Sequence, residues 1–211
     1  MSFPIFLNLR GRLCTVVGGG EVAARKAAAL LREGATVRVI APELSETMKV
    51  FLVSPELSHV QREYREGDLQ GSVLAFAATD DSEVNAAVYR DAEARGIAVN
   101  VADDPAHCTF FMPAVVHRDP IAVAISTQGT SPALARHLRE RIEEAIPPGY
   151  AHLARLLGRL RPELTASAAG QEERKDRLQK VIGSEVMSLL VAGKLEEAEE
   201  LARKLLGLER R

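Results

Sequence analysis

Two stretches of this sequence carry residues whose types and spacing can support chemistry. The first is the glycine-rich run Val17-Gly18-Gly19-Gly20-Glu21-Val22-Ala23, which fits the pattern G-x-G-x-x-A. In that pattern Gly18 forms a tight turn, Gly20 lets a diphosphate approach the backbone, and Ala23 allows a helix to pack on a strand. The run therefore predicts a dinucleotide site, with Glu21 and Val22 as further contacts.

The neighbouring sequence strengthens this prediction, because a β-branched run precedes the turn and an alanine-rich helical pattern follows it. Free N–H groups and the positive end of the helix dipole would then face a bound diphosphate. A purely structural glycine turn in another kind of α/β protein is the alternative interpretation.

The second stretch is Asn100-Val101-Ala102-Asp103-Asp104-Pro105-Ala106-His107-Cys108, which follows an apolar run. One carboxylate beside a cofactor crevice can accept or donate a proton, so we predict acid/base catalysis by an aspartate here, while an Asp-Pro turn is the alternative interpretation for Asp104. The family resemblance given below implies that Asp103 is the acid/base residue. Asn100 and Val101, at the strand end, are predicted cofactor contacts. No second ligand pair at structural-zinc spacing is present, so a permanent metal is not expected. His107 and Cys108 receive no role.

Two further strand ends supply candidate cofactor contacts. Pro42-Glu43 follows the second strand, although Glu43 lies slightly late to hold ribose hydroxyls. No arginine follows that strand directly, which favours NAD, but Arg38 within the strand leaves NADP open. Thr79 and Asp80 end the fourth strand, where helix capping by the next residues is the alternative role.

A third polar segment, Ser126 to Arg136, combines hydroxyl groups, a glycine and a predicted helix start. Such a combination suits anionic groups, so we predict contacts to substrate carboxylates from Thr127, Gly129, Ser131 and Arg136. For Arg136 a solvated, charge-balanced helix face is an equally good interpretation.

The elements that must position these residues follow from hydrophobic periodicity. Strands are predicted at 12–17, 36–41, 58–64, 73–78 and 97–101, the polar third one at an edge, with helices after the glycine turn and over about 82–95. This alternation predicts an α/β, Rossmann-like parallel sheet at 1–112. A hairpin around 117–120 and a helix with Leu134 and Leu138 on its apolar stripe are predicted at 113–148, the segment for which the family resemblance given below implies a role in dimerisation. A C-terminal helical domain covers 149–211.

Composition excludes several classes of protein. The net charge of -2 lacks the positive field that nucleic acid requires, and no run is apolar enough for a membrane span. The start MSFPIFLNLRGR has its basic residues after its short apolar run, unlike a signal peptide. The chain is therefore expected in the cytoplasm. Its two cysteines, Cys14 and Cys108, are expected as reduced thiols.

Taken together, several segments resemble the precorrin-2 dehydrogenase family, which also forms the N-terminal part of siroheme synthases. These segments cover residues 1 to about 148 and are Pro4-Ile5-Phe6-Leu7, VVGGGEVAARKAAALL, AATDD, NVADDPAHCTFFMPA and STQGTSPALARHLRE. The resemblance implies oxidation of precorrin-2 to sirohydrochlorin with NAD+ in siroheme biosynthesis, Fe2+ insertion in some members, and a homodimer built around the segment after residue 112.

Carried over by position, the family's key aspartate falls on Asp103 and its cofactor contacts on 18–22, 42–43 and near Thr79. Its substrate-side hydroxyl falls on Thr127, where some members have serine. A methyltransferase domain does not fit in 211 residues, which suggests the free-standing form. Two rivals stay open: a chelatase for Fe2+ or Co2+ that uses Asp103 and His107, and a non-enzymatic NAD-sensing module.

Overall fold

The computed structural model describes residues 2–208, and the chain divides into two compact units, Met1–Met112 and Pro113–Arg211. The first unit contains a five-stranded parallel sheet with the strand order β3-β2-β1-β4-β5. The strands are β1 Leu13–Val17, β2 Thr36–Ile40, β3 Leu57–Val60, β4 Leu74–Ala77 and β5 Ala98–Val101. The predicted fold class is confirmed, and the polar third strand does lie at an edge.

Three helices accompany this sheet: α1 Glu21–Arg32, α2 Glu46–Lys49 and α3 Ser82–Arg95. Helix α1 buries its alanine-rich face, as the periodicity predicted. It ends at Arg32, with Glu33 as the cap and Gly34 following at φ 74°. The short α2 and the 3-10 turn Val50–Val53 were not predicted, because four-residue elements have no measurable period.

The strand order reverses beside β1, since the chain builds β2 and β3 on one side before it places β4 and β5 on the other. Crossover helices separate adjacent strand ends at such a switch point, which opens a crevice at the carboxyl edge of the sheet. The predicted dinucleotide and acid/base residues of the first unit lie at or just beyond the carboxyl ends of β1, β2, β4 and β5. The fold therefore brings them to one edge.

The connection from β3 to β4 is held by two carboxylates. Asp91 on α3 is buried and accepts hydrogen bonds from the Tyr64 hydroxyl at 2.6 Å and the Gly67 N–H at 2.9 Å. Asp68 forms a bidentate pair with Arg62, both contacts at 2.7 Å. Side chains rather than regular structure thus fix this loop.

The second unit begins with the antiparallel hairpin β6 Ala114–Arg118 and β7 Ile121–Ile125. The hairpin was predicted, but its turn is shorter than expected, because Arg118 pairs with Ile121 and only Asp119-Pro120 connects the strands. Helix α4 Pro132–Ala145 follows, and the Ser131 side chain caps it by accepting from the Leu134 N–H at 3.2 Å, as predicted.

Four helices complete the chain around a separate apolar core. They are α5 Gly149–Ala166, α6 Gln171–Ile182, α7 Val186–Val191 and α8 Leu195–Leu206. Residues 167–170 connect α5 to α6. The division of the chain into three domains stays a prediction.

Candidate dinucleotide and acid/base site

Two of the glycines in the turn between β1 and α1 are required by steric contact. Gly18 has φ 122°, and a Cβ there would lie 2.2 Å from the Ala78 carbonyl oxygen. At Gly19 a Cβ would lie 1.9 Å from the Glu43 carbonyl oxygen. Only glycine fits between these neighbouring backbones. The requirement at Gly19 was not predicted, because the motif leaves that position unspecified.

Gly20 differs, since nothing lies within 4 Å of a Cβ built there. It precedes α1 with an extended backbone, and no side chain caps the helix at this position. The first N–H groups of α1 therefore face open space, which suits a diphosphate. On these observations the turn fits the dinucleotide that the motif implies, with exposed Glu21 and half-buried Val22 in the first turn.

The segment after β2 lies against the same turn. The Ser45 N–H donates to the Gly19 carbonyl at 2.8 Å, and both Pro42 and Glu43 are exposed. This places the predicted ribose-side residues directly beside the glycine turn. Arg38 points elsewhere: its Nη1 donates to the Asp68 carbonyl at 2.9 Å.

The end of β4 is braced by a residue that the sequence analysis did not single out. Asn85 Oδ1 accepts from the Thr79 hydroxyl at 2.9 Å, while its Nδ2 donates to the Thr79 carbonyl at 2.9 Å. Asp80 is exposed, and Asp81 caps α3 through the Glu83 and Val84 N–H groups. Capping and the predicted cofactor contact thus fall on different neighbouring residues.

The end of β5 is largely buried, and a returning segment covers its outer edge. The Asn100 amide donates to the Phe110 carbonyl at 3.1 Å, and the Val101 side chain lies in the core, so Val101 can offer a ligand only backbone atoms. Cys108 Sγ accepts from the Val101 N–H at 3.2 Å and lies 3.2 Å from the Asp104 carbonyl, to which its thiol can donate. Thr109 exchanges backbone and side-chain hydrogen bonds with Val99.

Asp103 lies two residues beyond β5 and has the left-handed backbone angle φ 58°. Its side chain is exposed and makes no hydrogen bond or ion pair with any residue in 2–208. Non-glycine residues seldom adopt this conformation, and such strained positions cluster at functional sites. The carboxylate is thus presented to solvent at the crevice edge.

The adjacent carboxylate is already engaged. Asp104 Oδ2 lies 2.6 Å from His107 Nδ1, and the hydrogen bond from His107 lowers the pKa of Asp104 below 3.8. His107 also packs edge-on against the Tyr89 ring, with centroids 4.7 Å apart. Of the two neighbouring aspartates, Asp103 is therefore the one available to a ligand.

Lys26 is a further residue near this site that sequence reasoning missed. It is half-buried on α1, with Nζ 5.6 Å from the centroid of the Phe76 ring. Burial lowers the pKa of Lys26 and the Arg25 charge lowers it further, while Cys108 and Asp103 act in the opposite direction. A signal was present, because Lys26 stands three residues after Ala23 and so shares its sheet-facing side.

The predicted substrate residues belong to the second unit, and two of their hydroxyls stabilise local structure. The Thr127 hydroxyl donates to the Ser131 carbonyl at 3.0 Å, and Ser131 caps α4. Between them Gln128 and Gly129 have φ 53° and 80°, while Arg136 is exposed. Their contacts with a substrate stay a prediction.

Within residues 2–208 no cluster of three or more His, Cys, Asp or Glu side chains could hold a metal ion, and both cysteines are free thiols. Over the same residues no helix is long and apolar enough to cross a membrane.

A glycine turn with open N–H groups at the switch point of a parallel sheet is the arrangement of dinucleotide-binding α/β proteins. Residues 5–114 match the family described as "Putative NAD(P)-binding", and the chain belongs to this family. Residues 118–145 match "Sirohaem biosynthesis protein central" and residues 149–206 match "Sirohaem synthase dimerisation region". The family recognised from the sequence is confirmed, and NAD(P) is its cofactor.

Relatives with curated names agree with these matches. The chain is 46% identical over 191 residues to "Siroheme synthase" of Methylobacillus flagellatus, covering 89% of the chain and 41% of that protein. It is 51% identical over 153 residues to "Siroheme synthase" of Chromobacterium violaceum, covering 72% and 33%. The chain therefore spans less than half the length of these relatives. A solved structure, "SirC, precorrin-2 dehydrogenase", matches with a TM-score of 0.77 at 26% identity over 96% of this chain and 100% of that one.

Proposed function

We propose that this protein oxidises precorrin-2 to sirohydrochlorin with NAD+, as a step of siroheme biosynthesis in the cytoplasm. The observation that carries the proposal is Asp103, an exposed and unpaired carboxylate held in a left-handed conformation at the same sheet edge as the glycine turn. The names of the siroheme synthase relatives and of the precorrin-2 dehydrogenase structure support the same reaction. An NAD-sensing module would have no use for such a carboxylate.

The cofactor contacts follow from the turn. N–H groups at the start of α1 bind the diphosphate, Gly20 lets it approach, and Glu43 accepts hydrogen bonds from the ribose hydroxyls. A carboxylate at that position disfavours a 2′-phosphate, which supports NAD over NADP. When bound, NAD+ supplies the hydride acceptor.

Asp103 then acts as the general base. The substrate loses a hydride and a proton, so a group beside the reacting carbon must accept the proton. Asp103 is free to do so, because its carboxylate forms no hydrogen bond or ion pair with another side chain of residues 2–208. Positioning of the two reactants supplies the remainder of the rate enhancement.

The second unit carries the residues that we assign to substrate binding and to dimerisation. Gly129 and Arg136, with the loop that Thr127 and Ser131 stabilise, contact substrate carboxylates. Exposed apolar residues on α4, Leu134 at 49% and Leu138 at 37%, support a homodimer, as does the match to a dimerisation region. These two leucines form the apolar stripe that the periodicity predicted.

The test is Asp103→Asn, which removes the base but keeps a residue that tolerates the left-handed region. We expect precorrin-2 oxidation, followed anaerobically by absorbance, to fall about 100-fold or more, while the dissociation constant for NAD+ changes less than about twofold. Asp104→Asn is the matched control and should retain oxidation within about threefold, because Asp104 is paired with His107. Normal turnover in Asp103→Asn would remove Asp103 from the mechanism.

Insertion of Fe2+ into sirohydrochlorin is a second candidate activity, with the metal as a substrate. The same exposed Asp103 favours it, since a carboxylate can accept the pyrrole protons that leave as metal enters. Loss of sirohydrochlorin absorbance on addition of Fe2+, measured without NAD+, separates this activity from dehydrogenation. An unchanged spectrum over the time of one dehydrogenase turnover would reject it.

A further inference from the structure

Lys26 is a half-buried cation without an anionic partner. Its ammonium forms no hydrogen bond or ion pair within residues 2–208, and the Phe76 ring at 5.6 Å is its near contact. A desolvated ammonium without a carboxylate costs free energy that an anionic ligand would recover. The position therefore suits an anion that arrives with a ligand.

The charges around Lys26 identify the side of the site to which it belongs. Asp103 acts on it favourably from beyond β5, whereas the neighbouring Cys108 has a pKa raised by burial and is a neutral thiol at pH 7. Phe76 lies on β4, and its register partner on β5 is Asn100. Lys26 thus faces the β4 and β5 side, where Asp103 is located.

Two anionic groups are candidates for binding to Lys26: the diphosphate of the dinucleotide and a carboxylate of the substrate. The diphosphate already has the open N–H groups at the start of α1, beside which nothing occupies the space at Gly20. The adenosine side of the turn is formed by Glu43, which abuts Gly19 on the β2 side. The diphosphate therefore has contacts that do not involve Lys26. The position of Lys26 on the Asp103 side of the site favours a substrate carboxylate as its ligand.

We propose that Lys26 binds a carboxylate of the tetrapyrrole and so holds the ring system beside Asp103. The identity of the ligand rests on the proposed function, while the anion-binding role rests on the position of Lys26. The residue acts in binding and orientation. No proton passes through it.

The test measures binding, so it does not depend on turnover. Lys26→Met keeps the aliphatic stem over Phe76 and removes the charge, Lys26→Arg keeps the charge, and Arg25→Met is the matched control, since it removes an exposed cation from the adjacent position. Each variant is titrated with sirohydrochlorin by difference absorbance and, separately, with NAD+ by calorimetry.

We expect Lys26→Met to weaken sirohydrochlorin binding about tenfold or more, with Lys26→Arg recovering most of it and Arg25→Met unchanged. NAD+ binding should stay within about twofold in all three variants. Unchanged sirohydrochlorin affinity in Lys26→Met would overturn the inference, as would an equal loss of NAD+ affinity, which would assign Lys26 to the diphosphate. A wild-type protein that binds the tetrapyrrole through Lys26 but fails to oxidise precorrin-2 would refute the proposed function and leave this inference standing.

Discussion

The glycine turn and the Asp103 loop meet at one sheet edge but are built by opposite means. At the turn, the shape depends on missing side chains, since Gly18 and Gly19 leave room for two carbonyl oxygens. At the loop, the shape depends on side chains that are present, because the Cys108 thiol and the Asp104 to His107 pair hold the short 3-10 turn Pro105–His107 in place. The difference teaches which substitutions damage the fold and which damage only the chemistry.

The largest effect is expected where a side chain is added to the turn. Gly19→Ala places a Cβ against the Glu43 carbonyl, so the backbone must move and the free energy of unfolding should fall by about 1–3 kcal/mol or more. The affinity for NAD+, measured by calorimetry, should fall about 100-fold, because the N–H groups are displaced with it.

Gly20→Ala is the matched control, since its Cβ meets nothing and its backbone angle is ordinary. Its unfolding midpoint should stay at the wild-type value while NAD+ affinity falls, because the methyl group enters the ligand's space. Equal destabilisation of both variants would show that the turn is not shaped by the Glu43 contact.

A second, smaller effect is expected in the pH dependence of stability. The connection from β3 to β4 is held by carboxylates, whereas the glycine turn is shaped by backbone contacts. Burial alone would raise the pKa of Asp91, but hydrogen bonds from Tyr64, Gly67 and Arg95 outweigh it and lower the pKa below 3.8. The hydrogen bond from Arg62 lowers the pKa of Asp68 in the same direction. Because both folded-state pKa values are depressed, this stabilisation is present above about pH 4 and is lost as pH falls through the lowered values.

Asp91→Asn should therefore lower the free energy of unfolding at pH 7 by about 1–3 kcal/mol, measured by urea titration. The difference from wild type should shrink steadily below pH 4, whereas the difference caused by Gly19→Ala should not depend on pH. A constant deficit for Asp91→Asn across this range would contradict a role for its charge.

The smallest effect is expected at the thiol. Cys108→Ala removes weak sulfur hydrogen bonds that tether the loop carrying Asp103, so kcat should fall about 3- to 10-fold with NAD+ affinity unchanged. Cys108→Ser, which can donate and accept at the same place, should recover part of the loss. A kcat in Cys108→Ala equal to wild type would mean that the tether does not position Asp103.

Much of the fold was predictable from hydrophobic periodicity and from residues that mark the ends of helices. The strands were predictable because buried parallel strands are continuous apolar runs, and α3 because Asp81 and Gly96 mark both of its ends. The turn at Asp119-Pro120 was predicted too wide, because register between hairpin strands depends on cross-strand pairs that one sequence does not reveal.

The site was predictable where a motif encodes backbone geometry, whereas the role of Asp103 came from the family resemblance and stays a prediction. Lys26 and the steric role of Gly19 were missed, because each depends on a neighbour distant in sequence, Phe76 for Lys26 and Glu43 for Gly19. Asn85 was missed although its partner Thr79 is near in sequence. Asn85 and Thr79 are six residues apart, yet only the folded structure shows that the Asn85 side-chain amide forms hydrogen bonds with Thr79 at the end of β4.

The segment that returns along β5 has a consequence beyond the site. An outermost strand normally presents unpaired N–H and C=O groups, which can recruit a strand of another molecule and begin aggregation. Here Cys108 and Thr109 use those groups at Val99 and Val101, so the margin of the sheet is closed from within the chain. The same residues that tether the Asp103 loop thereby protect the β5 edge from pairing with a strand of another molecule.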